Sequence, residues 1–295
     1  MTGNVADQPL TKQKTHLTRR NFLRGTALTA AGMAFYSGEI ARHEISIPSV
    51  PIAIANLPEA FHGFRIAQLS DIHLDEFTEP AFLRRVIERI NSLRPDIVAL
   101  TGDYISMGPR GRDFAEGAMY HCLDLLRGIT APRYACMGNH DSILGAPMLR
   151  PIFRSYDIPL LMNEHLPIER AGQRLWMCGV GDMTTELPDL DMTIPREPDG
   201  PILLMCHAPD YADTVASHPR GRLVDLMMSG HSHGGQVRIP FMPLYHLPAG
   251  GQKYVEGHFR FNRLQLYVNR GIGTVGLPFR LNCPPEITLF TLNPA

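Results

Sequence analysis

The sequence has almost no net charge, no CxxC motif and no apolar run long enough to indicate a transmembrane span. Its 295 residues include 28 Lys and Arg against 29 Asp and Glu, a formal net charge of −1. This balance gives no electrostatic case for binding nucleic acid or an anionic membrane through the bulk charge of the chain. With 44% hydrophobic and 19% charged residues, the composition is that of a globular protein rather than a disordered one. The length fits one large domain with a short appendage, or at most two small domains.

Cysteine is scarce and its pattern excludes a disulfide framework or a zinc finger. The five Cys are an odd number, and none lies at a metal-finger spacing. Cys122 lies in an apolar helical run and Cys136, Cys178 and Cys206 lie in strand-like runs, whereas Cys283 lies in a Pro-rich loop. We therefore expect buried, reduced thiols that pack as small hydrophobic groups.

Residues 1–43 are typical of an export signal. Arg19 and Arg20 precede Asn-Phe-Leu, and a small-residue apolar run follows from 25 to 35. This order resembles the twin-arginine signal, which implies the twin-arginine translocase as a partner and a periplasmic or membrane-anchored location outside the cytoplasm. No clean cleavage site follows Phe35, so an uncleaved membrane anchor stays open. The alternative is a basic start to a soluble helix.

Residues 44–295 alternate strand-like and helix-like pieces, which predicts an α/β layered domain. Residues 45–55 predict an edge strand or hairpin, since Pro punctuates an Ile- and Val-rich run. We expect helices at 80–93 and 115–126, and further strands at 64–70, 97–101, 134–137, 175–180, 202–206, 226–229, 264–268 and 287–292. Residues 183–200 read as an acidic surface loop. Residues 234–257, rich in Gly, Pro and aromatic residues, are the best candidate for a substrate-facing loop.

Polar motifs follow five of the strand-like runs. Because the carboxyl ends of strands in an α/β sheet meet at one edge, the motifs are expected to converge on one site. They are Asp71-Ile72-His73, Gly102-Asp103, Gly138-Asn139-His140-Asp141, His207 and Gly230-His231-Ser232-His233.

Carboxylate, amide oxygen and imidazole together suit Mn, Zn or Fe, and none of these ligands is a soft thiolate. Two such cations about 3.5–4 Å apart need a bridging carboxylate, clamp a phosphoryl group and activate a water molecule as the nucleophile. The residue types therefore predict a centre with two divalent metal ions that hydrolyses a phosphoester or pyrophosphate bond.

The order DxH, GD, GNH(D/E), H, GHxH resembles that of the calcineurin-like metallophosphoesterase superfamily over residues 64–233. The resemblance implies a four-layer α/β/β/α sandwich with the di-metal site at the carboxyl ends of the strands. It implies that His140 protonates the leaving group and that Asp141 orients His140. The implied ligands are, for the first metal, Asp71, His73 and His233; for the second, Asn139, His207 and His231; and, bridging the two, Asp103.

Purple acid phosphatases of this superfamily place a Tyr ligand three residues after the bridging Asp. Here Ser106 has that position and Tyr104 directly follows Asp103, so a tyrosinate-bound ferric ion is not expected.

The tail, with Asn269-Arg270-Gly271-Ile272-Gly273 and a later Arg280, resembles the exported or membrane-associated YkuE/YaeI-like branch. Arg270 and Arg280 are candidates for binding substrate phosphate. The alternative is that they are structural arginines bonded to carbonyl groups.

The leading hypothesis is a phosphoesterase whose substrate is a phosphorylated small molecule or lipid. A second is a lipid-linked pyrophosphatase similar to the UDP-2,3-diacylglucosamine hydrolases, which aromatic residues such as Phe241 and Tyr245 would favour. A third, of another class, is a metal-binding scaffold without turnover, although scaffold members usually lose ligands or the acid. A nucleic-acid partner is not expected, because the sequence has no basic patch.

Overall fold

The computed structural model describes residues 18–108, 110–182, 187–244 and 247–295. Eleven strands in the described residues form two sheets. The first has the order β1-β11-β2-β3-β4, formed by Ser49–Ile54 (β1), Thr288–Pro294 (β11), Arg65–Leu69 (β2), Ile97–Leu100 (β3) and Arg133–Ala135 (β4). The second has the order β5-β6-β7-β8-β10-β9, formed by Glu164–Arg170 (β5), Gln173–Gly179 (β6), Ile202–Met205 (β7), Leu226–Ser229 (β8), Leu264–Val268 (β10) and Gly257–Phe261 (β9).

Apolar side chains of both sheets share one core, so the sheets pack face to face. Ile66 and Phe290 from the first sheet lie in the same buried cluster as Met177 and Leu203 from the second. Within β3 the side chains alternate, with Ile97 and Ala99 in this cluster and Val98 and Leu100 on the opposite face. A strand buried on both faces reads as a continuous apolar run, which is why this strand was predictable.

Helices cover the outer face of each sheet and complete the four-layer α/β/β/α sandwich. The outer face of the first sheet packs against Pro80–Leu93 (α2), Arg112–Leu126 (α3) and Ala146–Ser155 (α4). The outer face of the second sheet packs against the short helices Leu190–Thr193 (α5) and Ala212–Ser217 (α6). The predicted fold class is confirmed, and α2 has the predicted bounds.

Several elements differ from the sequence-based expectation, and strand β9 (Gly257–Phe261) and helix α6 (Ala212–Ser217) are among those not predicted. Helix α4 was missed because it contains Pro147 and Pro151, which are usually read as loop residues. Strand β5 was missed because it is an edge strand bonded to β6 alone, carries Pro167 and has mostly exposed side chains. The predicted surface loop at 183–200 is interrupted by α5, whose Leu190 is buried.

The N-terminal part of the described chain has an exposed helix and a packed segment. Helix α1 (Arg19–Phe35) has no buried side chain. The next residues pack on the domain: Ser37 O accepts a hydrogen bond from Arg280 N (3.0 Å), and Arg42 binds Glu79 (2.5 Å). The last residues of the predicted signal segment, from Ser37 onward, thus contact the domain. In the described residues, no helix has the length and hydropathy needed to cross a bilayer.

Candidate metal centre

The predicted ligands come together at the carboxyl ends of parallel strands of both sheets. Asp71, Asp103 and Asn139 follow β2, β3 and β4, and His207 and His231 follow β7 and β8. Because the two sheets pack face to face, these loops meet along one edge of the sandwich. The six predicted Asp and His ligands thus lie at one site, and Asn139 directly precedes His140 beside it.

Five ligand residues have left-handed backbone conformations, which are uncommon for residues other than glycine. A positive φ of this kind costs free energy and persists where the surrounding structure fixes it, often at functional sites. The five are Asp71 (φ 50°), His73 (φ 48°), Asp103 (φ 55°), His231 (φ 71°) and His233 (φ 49°). The backbone of the site is therefore strained at the residues expected to hold cations.

The first cluster contains Asp71, His73 and His233, all buried, with their ligand atoms within 4.8 Å of one another. The Nε2 atoms of His73 and His233 are 3.1 Å apart, and His233 Nε2 is 3.4 Å from Asp71 Oδ1. Imidazole nitrogens and a carboxylate oxygen that converge in this way form a suitable set for one divalent cation.

The second cluster contains Asp103, His207 and His231, again with ligand atoms within 4.8 Å of one another. Asp103 Oδ2 is 3.1 Å from His207 Nε2 and 3.6 Å from His73 Nε2, a ligand of the first cluster. Asp103 therefore lies between the two clusters, where a bridging carboxylate is needed.

Hydrogen bonds to one ring nitrogen fix which nitrogen of each histidine is left for a metal. A carbonyl can only accept, so His207 Nδ1 donates to Thr101 O (2.7 Å) and His231 Nε2 donates to Ala249 O (2.9 Å). His207 Nε2 and His231 Nδ1 are thereby left as ligand atoms. His73 Nδ1 lies 3.1 Å from Ser106 Oγ, which leaves Nε2 of His73 for the site.

Two buried atoms of residues that are expected to bind the second ion fit a cation better than they fit the protein alone. Asn139 Oδ1 and His207 Nε2 lack hydrogen-bond partners among the described residues. His207 Nε2 lies 3.1 Å from Asp103 Oδ2, as a close ion pair. Asn139 Oδ1 can only accept, and a buried acceptor without a partner costs about 1–3 kcal/mol, which coordination to a cation removes. The residues present therefore fit the expected pair of metal ions.

Most of the imidazoles are held in the neutral form that binds metal. Burial lowers the pKa of His73 to about 3. Burial, with the Arg280 charge, lowers the pKa of His233, and burial with His207 lowers the pKa of His231. His207 differs: burial lowers its pKa, but the Asp103 carboxylate outweighs this and raises the pKa to about 10.

We expect metal binding at the second cluster to release a proton. In the metal-free chain the Asp103 carboxylate keeps His207 protonated at neutral pH, so a cation must displace that proton, and affinity should fall about tenfold for each pH unit of acidification. Isothermal titration calorimetry of Mn or Zn into the chelator-stripped chain, in buffers of different ionisation enthalpy, measures the number of protons released on binding. Affinity that stays constant between pH 8 and pH 6 contradicts this assignment.

His140 is half-buried beside the two clusters and is oriented by the backbone. Its main-chain N–H donates to Asp103 Oδ1 (2.9 Å), and its ring lies edge-on to His73 with a centroid distance of 4.8 Å. Met107 N–H donates to His140 Nδ1 (2.8 Å), so the neutral ring carries its proton on Nε2. This tautomer suits the proposed role of a proton donor to the leaving group.

Asp141 has a different contact from the expected one. Its carboxylate is fully buried and accepts the N–H groups of Gly138, Asp103 and Tyr104, each at 2.9 Å. Burial and the Asp103 charge raise the pKa of Asp141 to about 8, against these three donors, which favour the ionised form. The expectation that Asp141 orients the His140 ring is wrong in this structure, because Asp141 instead fixes the backbone of the bridging Asp103.

Both arginines of the tail, Arg270 and Arg280, bind other groups of the protein. Arg280 is fully buried, and its guanidinium donates to the carbonyls of Gly273 (2.6 Å), Cys283 (3.1 Å) and Arg270 (2.9 Å). Arg270 Nε binds the buried carboxylate of Glu286 at 2.5 Å. For Arg280 the substrate-binding prediction gives way to the structural alternative, since carbonyl groups engage its donors.

The tail supports the site through its backbone. Gly273 N–H donates to Asp71 O (2.7 Å), and Ile272 N–H donates to Ser70 O (3.1 Å). Gly271 has a φ of 66°, and a Cβ added there would lie 2.5 Å from Asp71 Cβ. The sequence did not reveal such backbone contacts, which include Ala249 O with His231 and Met107 N with His140. Every residue has the same backbone groups, so the residue type does not indicate which of them will contact the site.

Tyr104 takes no part in the clusters, as its position in the sequence predicted. Its hydroxyl lies 3.1 Å from both Leu100 O and Cys136 O, and burial raises its pKa well above the usual value. The phenol therefore stays protonated and away from any cation.

All five cysteines lie in the described residues and are buried without disulfides, as expected.

A sandwich with two such clusters at one edge defines a hydrolase that acts on phosphate esters with the help of metal ions. The chain belongs to the calcineurin-like phosphoesterase family, whose model matches residues 64–235. It is thus a metal-dependent phosphoesterase, a hydrolase of ester bonds.

Three curated relatives extend over most of the chain. The metallophosphoesterase YkuE of Bacillus subtilis is 32% identical over 290 residues, covering 94% of this chain and 98% of its own. The phosphodiesterase YaeI of Escherichia coli is 28% identical, covering 94% and 99%. The UDP-2,3-diacylglucosamine pyrophosphatase LpxG of Chlamydia trachomatis is 29% identical, covering 79% and 86%.

Proposed function

We propose that this phosphoesterase hydrolyses a phosphodiester or pyrophosphate bond outside the cytoplasm, with two Mn, Zn or Fe(II) ions. The observation that carries the proposal is the position of the buried Asp103 carboxylate between the two ligand clusters. The bound ions supply charge stabilisation for the phosphoryl group and a water nucleophile of lowered pKa. Asp71, His73 and His233 would hold one ion, Asn139, His207 and His231 would hold the other, and Asp103 would contribute to both.

His140 is expected to speed departure of the leaving group by donating its Nε2 proton. His140→Ala should retain both metals and lower turnover about 10²–10⁴-fold. The loss should be smallest for p-nitrophenyl esters, whose leaving group departs without a proton, and largest for alkyl esters. Equal losses on both ester classes would rule out the proton-donor role.

A substrate panel tests the reaction class. The full chain is stripped with chelator, reloaded with Mn, Zn or Fe(II), and assayed on bis-p-nitrophenyl phosphate, p-nitrophenyl phosphate and a nucleoside diphosphate sugar. We expect metal-dependent turnover of the diester or the pyrophosphate. Metal binding without turnover on any of the three would favour the scaffold hypothesis instead.

A lipid-linked pyrophosphatase is the second candidate. The similarity to LpxG and the fully exposed Phe241 favour it, whereas Tyr245 lies outside the described residues. Hydrolysis assays on UDP-2,3-diacylglucosamine and on deacylated UDP-glucosamine distinguish the lipid-linked pyrophosphatase from the first candidate. Turnover of the acylated compound alone favours the lipid-linked substrate, and turnover of neither removes this candidate.

Export by the twin-arginine route is proposed from the first 43 residues. The support is the Arg19-Arg20 pair at the start of the exposed helix α1, while residues 1–17 lie outside the described residues. A reporter fused to residues 1–43 should reach the periplasm, and Arg19→Lys with Arg20→Lys should keep it in the cytoplasm. Residues 1–43 that remain on the exported protein would indicate a membrane anchor. Export of the double variant at the wild-type level would overturn the proposal.

A further inference from the structure

Two loops beside the metal centre present exposed apolar side chains. In the first loop, 236–244, Phe241 is fully exposed and Met242 is 60% exposed. In the second loop, 275–281, Leu277 is 60% exposed. Apolar side chains of this size that protrude together usually indicate an interaction surface.

The two loops are joined and border the site. Gln236 Nε2 donates to Val275 O (3.0 Å) and to Leu277 O (3.1 Å), and Arg238 N donates to Leu281 O (2.9 Å). Leu244 packs on Gly235, where an added Cβ would lie 3.0 Å from Leu244 Cδ2. Gly235 is two residues after the ligand His233, so the apolar loops are next to the metal centre.

The segment that follows helix α1 contacts the second loop. An added Cβ at Gly38 would lie 3.0 Å from the Phe279 ring, so the segment that follows α1 packs on the second loop. Helix α1 exposes Phe22, Leu28 and Phe35 by 61%, 75% and 64%. Helix α1 thus exposes large apolar side chains and leads into the segment that packs on the second loop.

Its charges fit a lipid surface. The only charged residues of the two loops are Arg238, bound to Glu256 at 2.6 Å, and the buried Arg280, so the loop tips carry no free charge. At the far end of α1, Arg19, Arg20 and Arg24 are exposed. Exposed apolar side chains on the loops and exposed arginines on α1 are complementary to the apolar interior and the negative surface charge of an anionic bilayer.

We propose that loops 236–244 and 275–281, together with α1, dock on an anionic lipid bilayer and place the metal centre at its surface. Protruding side chains on loop tips enter a fluid apolar phase, whereas a protein partner needs a fitted surface. The bulk charge of −1 does not oppose docking, because the arginines of α1 act locally within about a Debye length.

Sedimentation of the full chain with phosphatidylglycerol–phosphatidylcholine vesicles tests the proposal. Phe241→Ser with Met242→Ser should lower the partition coefficient about tenfold or more, since two large apolar side chains lose their contact with lipid. The matched control, Tyr120→Ser with Leu166→Ser, changes residues that are 40% and 38% exposed on α3 and β5 and should leave the partition unchanged. Equal binding by the two double variants would overturn the proposal.

A site-specific label separates docking by the loops from tethering by α1 alone. Because the five native thiols are buried, a polarity-sensitive fluorophore can be attached selectively to Met242→Cys or to Tyr120→Cys. We expect a blue shift on vesicles at 242 and none at 120. The proposal would be contradicted if vesicle-bound protein labelled at 242 showed no blue shift. It would also be contradicted if self-association of the protein gave the same shift without vesicles. Asp103→Asn, which removes the proposed activity, should bind vesicles as the unchanged chain does.

Discussion

Asp103→Asn should lower turnover about a thousandfold or more, which corresponds to on the order of 4 kcal/mol of transition-state stabilisation. The reason is that Asp103 Oδ2 lies 3.6 Å from His73 Nε2 and 3.1 Å from His207 Nε2, so its negative charge would help to bind both proposed cations. An amide keeps the shape but binds cations weakly. We also expect the metal content to fall below two ions per chain, as measured by mass spectrometry of the desalted protein.

The matched control is Asp113→Asn in the exposed first turn of α3. It removes the same charge away from the site and should leave both turnover and metal content unchanged. Circular dichroism would verify that both variants are folded. If Asp103→Asn kept two tightly bound ions and more than about a tenth of the turnover, the bridging role would be wrong.

The second large effect is expected on stability. Asp141→Ala leaves the buried N–H groups of Gly138, Asp103 and Tyr104 without their acceptor. At about 1–3 kcal/mol for a buried donor left unpaired, and with partial relaxation, we expect the free energy of unfolding to fall by about 3–5 kcal/mol. Urea denaturation of the metal-free protein measures this change. Asp141→Asn retains one acceptor oxygen and should lose less.

If Asp141 positions Asp103, replacing Asp141 should weaken metal binding as well as stability. Asp141→Asn should weaken metal affinity in the folded protein at low temperature, because the backbone of the bridging residue is no longer fixed. Asp113→Ala should cost at most about 1 kcal/mol, the usual size of a first-turn charge effect. Normal metal affinity in a folded but destabilised Asp141→Asn variant would leave Asp141 with a stability role alone.

The convergence of the candidate ligands was predictable because they follow strands, and parallel strands bring the positions after their carboxyl ends together. Asp71 and Asp103 could be placed on one edge of the sandwich from sequence alone for this reason. Strand β5 and helix α4 were not predictable, because proline and exposed side chains obscure their periodicity. Tertiary pairing determines those elements, and local sequence carries little of that information.

The roles of Asp141 and Arg280 illustrate a second limit. The sequence shows that a carboxylate can accept and a guanidinium can donate, but not which backbone groups come near. In the fold, Asp141 meets three N–H groups and Arg280 meets several carbonyls, so both are used to hold the loops in place. The first residue therefore acts on the metal centre through the backbone of Asp103, and the second braces the tail behind it.

The most direct test of the two-metal account is to titrate Mn into the chelator-stripped full chain and measure bound metal and diester hydrolysis on the same samples. The account predicts turnover that rises with the second bound ion and reaches its plateau at two ions per chain. Full turnover with one ion per chain, or two bound ions without hydrolysis of any diester, monoester or pyrophosphate, would contradict it.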